Sequence, residues 1–339
     1  MSTTQHTRAS AHGHDHSGIH AHTHGTIDAS LLTTERGIWA VKWSLVGLAI
    51  TAVFQVVVVI YTGSVALLAD TIHNFGDAGT AIPLWIAFAL ARRPPSRSFT
   101  YGYGRVEDIA GIAVVLTILV SAIIAGVQSV DRLLHPQPML HVWAVAVASI
   151  VGFVGNELVA VFRIRVGNEI NSAALVADGH HARADGLTSL GVLAGAVGVW
   201  LGFPLTDPIV GLLIMIAILR IVWESGKAVL TRVADGVDPE VVDEIMHALD
   251  HVPGVQNVAD VRVRWLGHRM RAEVALAVSP GLTVAEGHTV ALEARHRLLH
   301  QLPYLSDATI HVDPDGRSGE GHHRVEEHDH EGLSPHSHP

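Results

Sequence analysis

Two stretches of this chain repeat one arrangement of metal-binding residue types. Ala66-Leu67-Leu68-Ala69-Asp70 runs on to His73 and Asp77, and Ala174-Leu175-Val176-Ala177-Asp178 runs on to His181 and Asp185. On a helix, residues i, i+3 and i+7 share a face, so each copy lines up Asp, His and Asp as a stripe. Imidazole and carboxylate are donors that hold zinc in a tetrahedron. The i, i+4 pairs, His73 with Asp77 and His181 with Asp185, can point at one ion. Both copies lie in apolar stretches, where ionisable groups are costly and mark transport paths or proton relays. The same groups bind protons, because His must be neutral to ligate and metal binding displaces protons. A site that holds either metal or protons, and can face either side, is the site of an antiporter. Asp70 and Asp178, one turn before each His, either orient that His or ligate directly. His180 points about 100° away from His181 on a helix and is not counted as a ligand. Arg183 either snorkels to a membrane face or pairs with an acid. For Asn156, Glu157 and Asp207 a structural or capping role is expected.

The elements that position these stripes must be membrane helices. The chain has 339 residues, 49% of them hydrophobic and 16% charged, and a mean hydropathy of +0.34. That is too apolar for an ordinary soluble protein. There is no cysteine, which excludes disulfides and thiolate metal sites. A formal charge of −10 argues against nucleic acid as a partner. Six stretches are long enough to span a bilayer, at 38–60, 64–91, 106–130, 141–163, 173–200 and 205–224. An even number puts both termini on one side. Arg36 and Lys42 precede or begin the first span. Arg92, Arg93, Arg97 and Arg105 lie between the second and third, and Arg163 and Arg165 between the fourth and fifth. The alternate loops carry only Arg132. The positive-inside rule therefore places both termini in the cytoplasm of a multi-pass protein of the cell (plasma or inner) membrane. The N-terminus has no apolar core of a signal peptide, so none is expected.

From about Asp235 the pattern becomes that of a small soluble domain. Asp238-Pro239-Glu240 opens a helix, with Ile245, Leu249 and Val252 as its apolar stripe. Val261, Val263 and Trp265 alternate with Arg262 and Arg264, and Val274, Leu276 and Val278 alternate likewise. Gly267 between these two strands favours a hairpin. A helix over 284–300 and a strand over 307–312 complete an α+β order of helix, strand, strand, helix, strand. The expected organisation is a tail at 1–35, a six-helix membrane domain at 36–232, the α+β domain at 233–313, and a tail at 314–339 without regular structure. Histidine is concentrated in the tails, with seven in residues 1–30 and six in 320–339 of the 25 in the chain. Such tracts bind zinc, nickel, cobalt or copper without strict geometry, and are expected to collect metal for the carrier site.

Six spans, His-x-x-x-Asp in both the second and the fifth, and a small C-terminal α+β domain resemble the cation diffusion facilitator family, over roughly residues 36–313. The resemblance implies a homodimer that exports divalent cations from the cytoplasm in exchange for protons. It implies a six-helix membrane domain with a ferredoxin-like cytoplasmic domain, and a transport site of His73, Asp77, His181 and Asp185. His rather than Asp at position 73 goes with zinc in this family. Zinc would then be cargo rather than a resident cofactor. The string Phe99-Thr100-Tyr101-Gly102-Tyr103-Gly104 stands where some members carry a loop metal site, with aromatics in place of its histidines, so no site is expected there. Ala259 and Ala275 replace two cytoplasmic-domain ligands of the family, whereas His288, His311 and Asp313 match another set that could hold a regulatory ion. The family's charge interlock has Arg105 as its basic member, Thr231 at the acidic position, and Asp235 as a substitute acid.

Other functions fit parts of this pattern. The same carrier could act on cobalt, nickel, iron or cadmium. An intramembrane metallohydrolase needs a general base beside a metal-bound water, and the H-E-x-x-H string that provides one is absent. A metal sensor or storage protein would use only the soluble domain and tails. No enzymatic activity is expected.

Overall fold

The computed structural model describes residues 29–62, 81–135, 142–203 and 205–316, with Ser318 and two short strands beyond. Six long or apolar helices come first: α1 (Ala29–Thr62), α2 (Ala81–Ala91), α3 (Arg105–Leu134), α4 (Val142–Glu169), α5 (Ala173–Trp200) and α6 (Thr206–Val233). The C-terminal domain follows as α7 (Pro239–Asp250), β1 (Val255–Leu266), β2 (Arg269–Val278), α8 (Val284–Gln301) and β3 (Leu305–Pro314). Residues 63–80, which hold Asp70, His73 and Asp77, lie outside the described residues, as does the N-terminal His-rich tract.

Among the described residues, four helices are long and apolar enough to cross a bilayer: α1, α3, α4 and α6. The equally long α5, with Asp178, Arg183 and Asp185 in its middle, is the polar centre that the others cover. Apolar side chains on the outside of the bundle, such as Ile60, Val127, Leu158 and Leu213, are exposed. A face of that kind suits lipid rather than water.

α4 and α5 pack through small residues. A Cβ on Gly179 would lie 2.9 Å from Ile164 N and 3.1 Å from Arg163 Cβ, so the two backbones approach as only glycine permits. The turn between them is tight for local reasons. Asn171 takes a positive φ of 56°, a conformation that Asn tolerates. Ser172 then caps α5, its Oγ accepting from Leu175 N at 3.1 Å. The expected break at residue 163 does not occur. α4 continues to Glu169 because nothing before Asn171 disrupts the helix. Arg163 is therefore an intrahelical, buried residue and not part of a basic loop, which corrects its use in orienting the chain.

The C-terminal domain has the expected element order. β1 and β2 are antiparallel, β2 and β3 parallel, in the sheet order β1-β2-β3. The parallel pair needs a crossover, which α8 supplies. Asp238 caps α7, accepting from Glu240 N at 3.2 Å, and Thr283 with Glu286 forms a capping box on α8. Ile245, Leu249, Trp265, Met270, Leu276, Leu298 and Leu302 form the core between helices and sheet. The C-terminal tail departs from expectation. Val325–His328 pairs antiparallel with His336–His338, so part of its backbone is satisfied by strand pairing rather than by water.

Candidate metal centre

α5 brings His181 and Asp185 together as the stripe predicts. His181 Nδ1 and Asp185 Oδ2 stand 3.8 Å apart, with side-chain exposures of 2% and 7%. Both groups sit among Ala182, Ala184, Gly186 and Ser189, which are buried too. The small neighbours let α3, α4 and α6 close around the pair, so an imidazole and a carboxylate are held out of water inside a helical bundle. Two clefts lie elsewhere. One, about 220 Å³, is beside His180, Asn171, Glu224 and Arg232. The other, about 280 Å³, is between Tyr101, Tyr103, His268 and Arg269. His180 thus faces a cleft at the end of the bundle, while His181, one residue on, faces its interior.

Asp178, one turn before His181 on α5, has a partner on another helix. Its carboxylate meets Arg163 of α4, Nη1 to Oδ2 at 3.0 Å, with side-chain exposures of 1% and 0%. Asp178 thus forms an ion pair across the α4–α5 contact. The cause is the longer α4, which carries Arg163 to the level of Gly179. Arg183 takes the second of the two roles open to it. Its Nε and Nη2 donate to Glu157 of α4, at 3.2 and 2.8 Å, so it pairs with an acid. Two ion pairs therefore fix the rotation of α5 against α4, on either side of His181 along the sequence.

In the C-terminal domain, His311 Nε2 and Asp313 Oδ1 are 2.9 Å apart at the end of β3. His288, on α8, does not join them: among the described residues no three His, Asp or Glu side chains converge as a metal site. Arg105 Nη2 donates to Asp235 Oδ1, and its Nη1 to the carbonyl of Arg232 at 2.9 Å. Asp235 is thus the acid that Thr231 does not supply.

The chain has close relatives. Residues 41–231 match the cation efflux transmembrane domain, and residues 237–315 the cation efflux protein cytoplasmic domain. The chain belongs to the cation diffusion facilitator family. A probable cation efflux system protein of Mycobacterium tuberculosis is 56% identical over 289 residues, 85% of this chain and 87% of that one. The magnetosome protein MamB of Magnetospirillum gryphiswaldense is 26% identical over 281 residues, 83% of this chain and 94% of its own. The manganese efflux system protein MneP of Bacillus subtilis is 26% identical over 266 residues, 74% of this chain and 87% of its own. As a cation diffusion facilitator the chain is a multi-pass membrane transporter for divalent metal cations.

Sequence reasoning placed the buried Arg163 in a loop and did not single out the buried Glu107 and His268. Arg163 had a usable signal, since no helix breaker separates it from Val159 and Ala160. Glu107 lies in the first turn of a helix, where an acid is ordinary and carries no further signal. His268 follows the turn glycine Gly267, and its partners come from elements far away in the chain.

Proposed function

We propose that the chain exports a divalent cation, zinc foremost, from the cytoplasm in exchange for protons. The transport site is made by His73, Asp77, His181 and Asp185. The observation that carries this reading is the buried pair of His181 and Asp185, whose facing atoms are 3.8 Å apart within the bundle. The matched stripe at His73 and Asp77 supplies two more ligands of the same kind, completing the N₂O₂ set that suits tetrahedral zinc. Cobalt, nickel, iron and cadmium accept the same donors, and ligand type alone ranks them weakly. Manganese favours more oxygen ligands, but one relative is named a manganese efflux protein, so it belongs among the ions tested.

Proton exchange follows from the chemistry of the donors. Each His must lose its proton to ligate, and each carboxylate is protonated most readily when no cation is near. In a dry bundle an empty, fully charged site is expensive, so protons replace the departing metal. The alternation of basic and basic-poor loops, with Arg163 removed from the count, still favours cytoplasmic termini in the cell membrane. The C-terminal domain supports assembly as a homodimer. His311 and Asp313 are the groups for a regulatory zinc ion there, and ligation through His311 Nε2 requires that nitrogen to leave Asp313. The His-rich tails collect metal for the inward-facing site. Removal of residues 1–30 is then expected to slow transport at limiting zinc.

The test is zinc uptake into inside-out vesicles under an imposed pH gradient, with the native chain and Asp185→Ala, and with cobalt, nickel, cadmium and manganese in parallel. The expected result is proton-driven zinc uptake that the variant lacks. Normal transport by Asp185→Ala would remove the proposed site. Strong uptake of another ion, with little zinc, would keep the site and change the cargo.

A further inference from the structure

His268 belongs to the C-terminal domain by sequence and to the membrane domain by surroundings. Gly267 and His268 form the two-residue loop of the β1–β2 hairpin, flanked by the pair Leu266 and Arg269. Gly267 has a positive φ of 66°, as such a loop needs. A Cβ there would lie 2.7 Å from Glu107 Oε2. The loop is inserted among the helix ends, where His268 is 3% exposed. Its Nδ1 is 2.6 Å from Glu107 Oε2 on α3, and its Nε2 is 3.0 Å from Thr34 Oγ1 on α1. Its ring lies against Phe88 of α2, and its backbone N–H donates to Glu107 Oε2 at 3.2 Å.

The other oxygen of Glu107 leads to the helix that carries His181 and Asp185. Ser172 Oγ donates to Glu107 Oε1 at 2.5 Å, and the same Ser172 caps the first turn of α5. A second strap runs parallel to the first. Arg232, in the last turn of α6, donates to the carbonyl of Asn171 and, at 3.4 Å, to that of Gly267, and stacks on Trp265 of β1. Asp108 closes the contact by accepting from Gly267 N at 3.2 Å. The hairpin therefore meets the turn that starts α5 through one carboxylate and one guanidinium. Every group in this junction except Arg232 is fixed by burial or by the backbone.

We propose that His268 is a positioning residue of the carrier: through Glu107 and Ser172 it holds the first turn of α5, and with it His181 and Asp185, in register with the C-terminal domain. A buried carboxylate shared between a hairpin and a helix cap transmits displacement because neither side can move without leaving an unpaired polar group. This rests on the reading of His181 and Asp185 as the transport site, so the test includes a readout that does not depend on transport.

The experiment uses the full chain in lipid, with His268→Ala, His268→Gln and Glu107→Gln. Amide hydrogen exchange is followed at residues 172–176, and zinc uptake is measured with maximum rate and half-saturation separated. His268→Ala is expected to speed exchange in the first turn of α5 by about tenfold. It should also lower the maximum rate while half-saturation stays unchanged. His268→Gln, which keeps a donor toward Glu107, should recover most of both. If His268→Ala does not fold, Glu107→Gln carries the same exchange test, since it keeps size and weakens the hydrogen bonds to His268 and Ser172. Exchange at 172–176 that stays at the native level in the folded variants overturns the proposal. So does faster exchange with an unchanged maximum rate. Faster exchange in a chain whose native form moves no zinc leaves the strap in place and overturns the transport reading alone.

Discussion

His181 and Asp185 sit four residues apart on a helix, and His311 and Asp313 sit two apart on a strand. Both spacings put the pair on one face, yet the surroundings turn the same two groups to different ends. On α5 the facing atoms are 3.8 Å apart and the side chains 2% and 7% exposed. On β3 they are 2.9 Å apart and 58% and 6% exposed. Two bonds of about 2 Å at a tetrahedral angle span roughly 3.3 Å, so the α5 pair needs to close by only about half an ångström to share an ion. The β3 pair has already closed on itself, and water competes for its histidine. The dry pair has the spacing that the proposed cargo site needs, whereas the wetter pair is first a strand-end hydrogen bond.

The largest effect expected from this contrast is on transport. On the proposed site, Asp185→Ala should reduce zinc uptake by more than about a hundredfold, since it would remove a ligand and not merely a group that orients one. His311→Ala should leave uptake within about twofold at saturating zinc, because its exposed ring can be replaced by water. Parallel uptake assays on the two variants decide the matter. Comparable losses would mean that the strand pair is as necessary to the carrier as the helix pair, and the contrast would fall.

The stripe at 178–185 was legible because helical periodicity alone fixes which side chains share a face. The fold of the C-terminal domain was legible for a similar reason: Val261, Val263 and Trp265 alternate, Asp238-Pro239 starts a helix, and Gly267 marks a turn. What could not be read was partnership across distance. The ion pair of Arg163 with Asp178 depends on how far α4 runs and how closely Gly179 lets it approach. The contact of His268 with Glu107 joins residues 161 positions apart, and no local pattern encodes it. Asp235 fell between the two cases, because the missing acid at Thr231 pointed to a substitute nearby and Arg105 does bind it.

Ion pairs extend the contrast between the two regions. Arg163 and Asp178 are closed off from water, whereas Arg264 and Glu273, on neighbouring strands, are 32% and 51% exposed. Arg163→Met strands the Asp178 charge in the bundle and should cost about 3–5 kcal/mol of stability. Arg264→Met should cost less than about 1 kcal/mol, and less again in high salt. Pairing Arg163→Met with Asp178→Leu should restore most of the loss, because the cost lies in the uncompensated charge and not in the absent attraction. Thermal melting of the purified full chain measures all three. A double variant as unstable as the single one would show that the pair is specific rather than merely neutralised.

The smallest effect lies on the surface of the C-terminal domain, where Tyr304 donates to Glu244 Oε2 at 2.8 Å. Burial first, and then the Glu244 carboxylate, push the phenol up to about 12, above the ordinary value of about 10. A raised value means that the fold favours the neutral phenol. Its contribution is complete below about pH 10 and is lost as pH rises through about 12. The chain has four tyrosines, so phenolate absorbance can resolve a late-titrating one. Glu244→Gln keeps an acceptor but removes the charge, and should bring that transition down while changing stability at pH 7 by no more than about 0.5 kcal/mol. A transition that stays near 12 in the variant would assign the shift to burial alone. The exposed carboxylate would then contribute nothing measurable, which widens the difference between charges on this domain and the buried charges of α5.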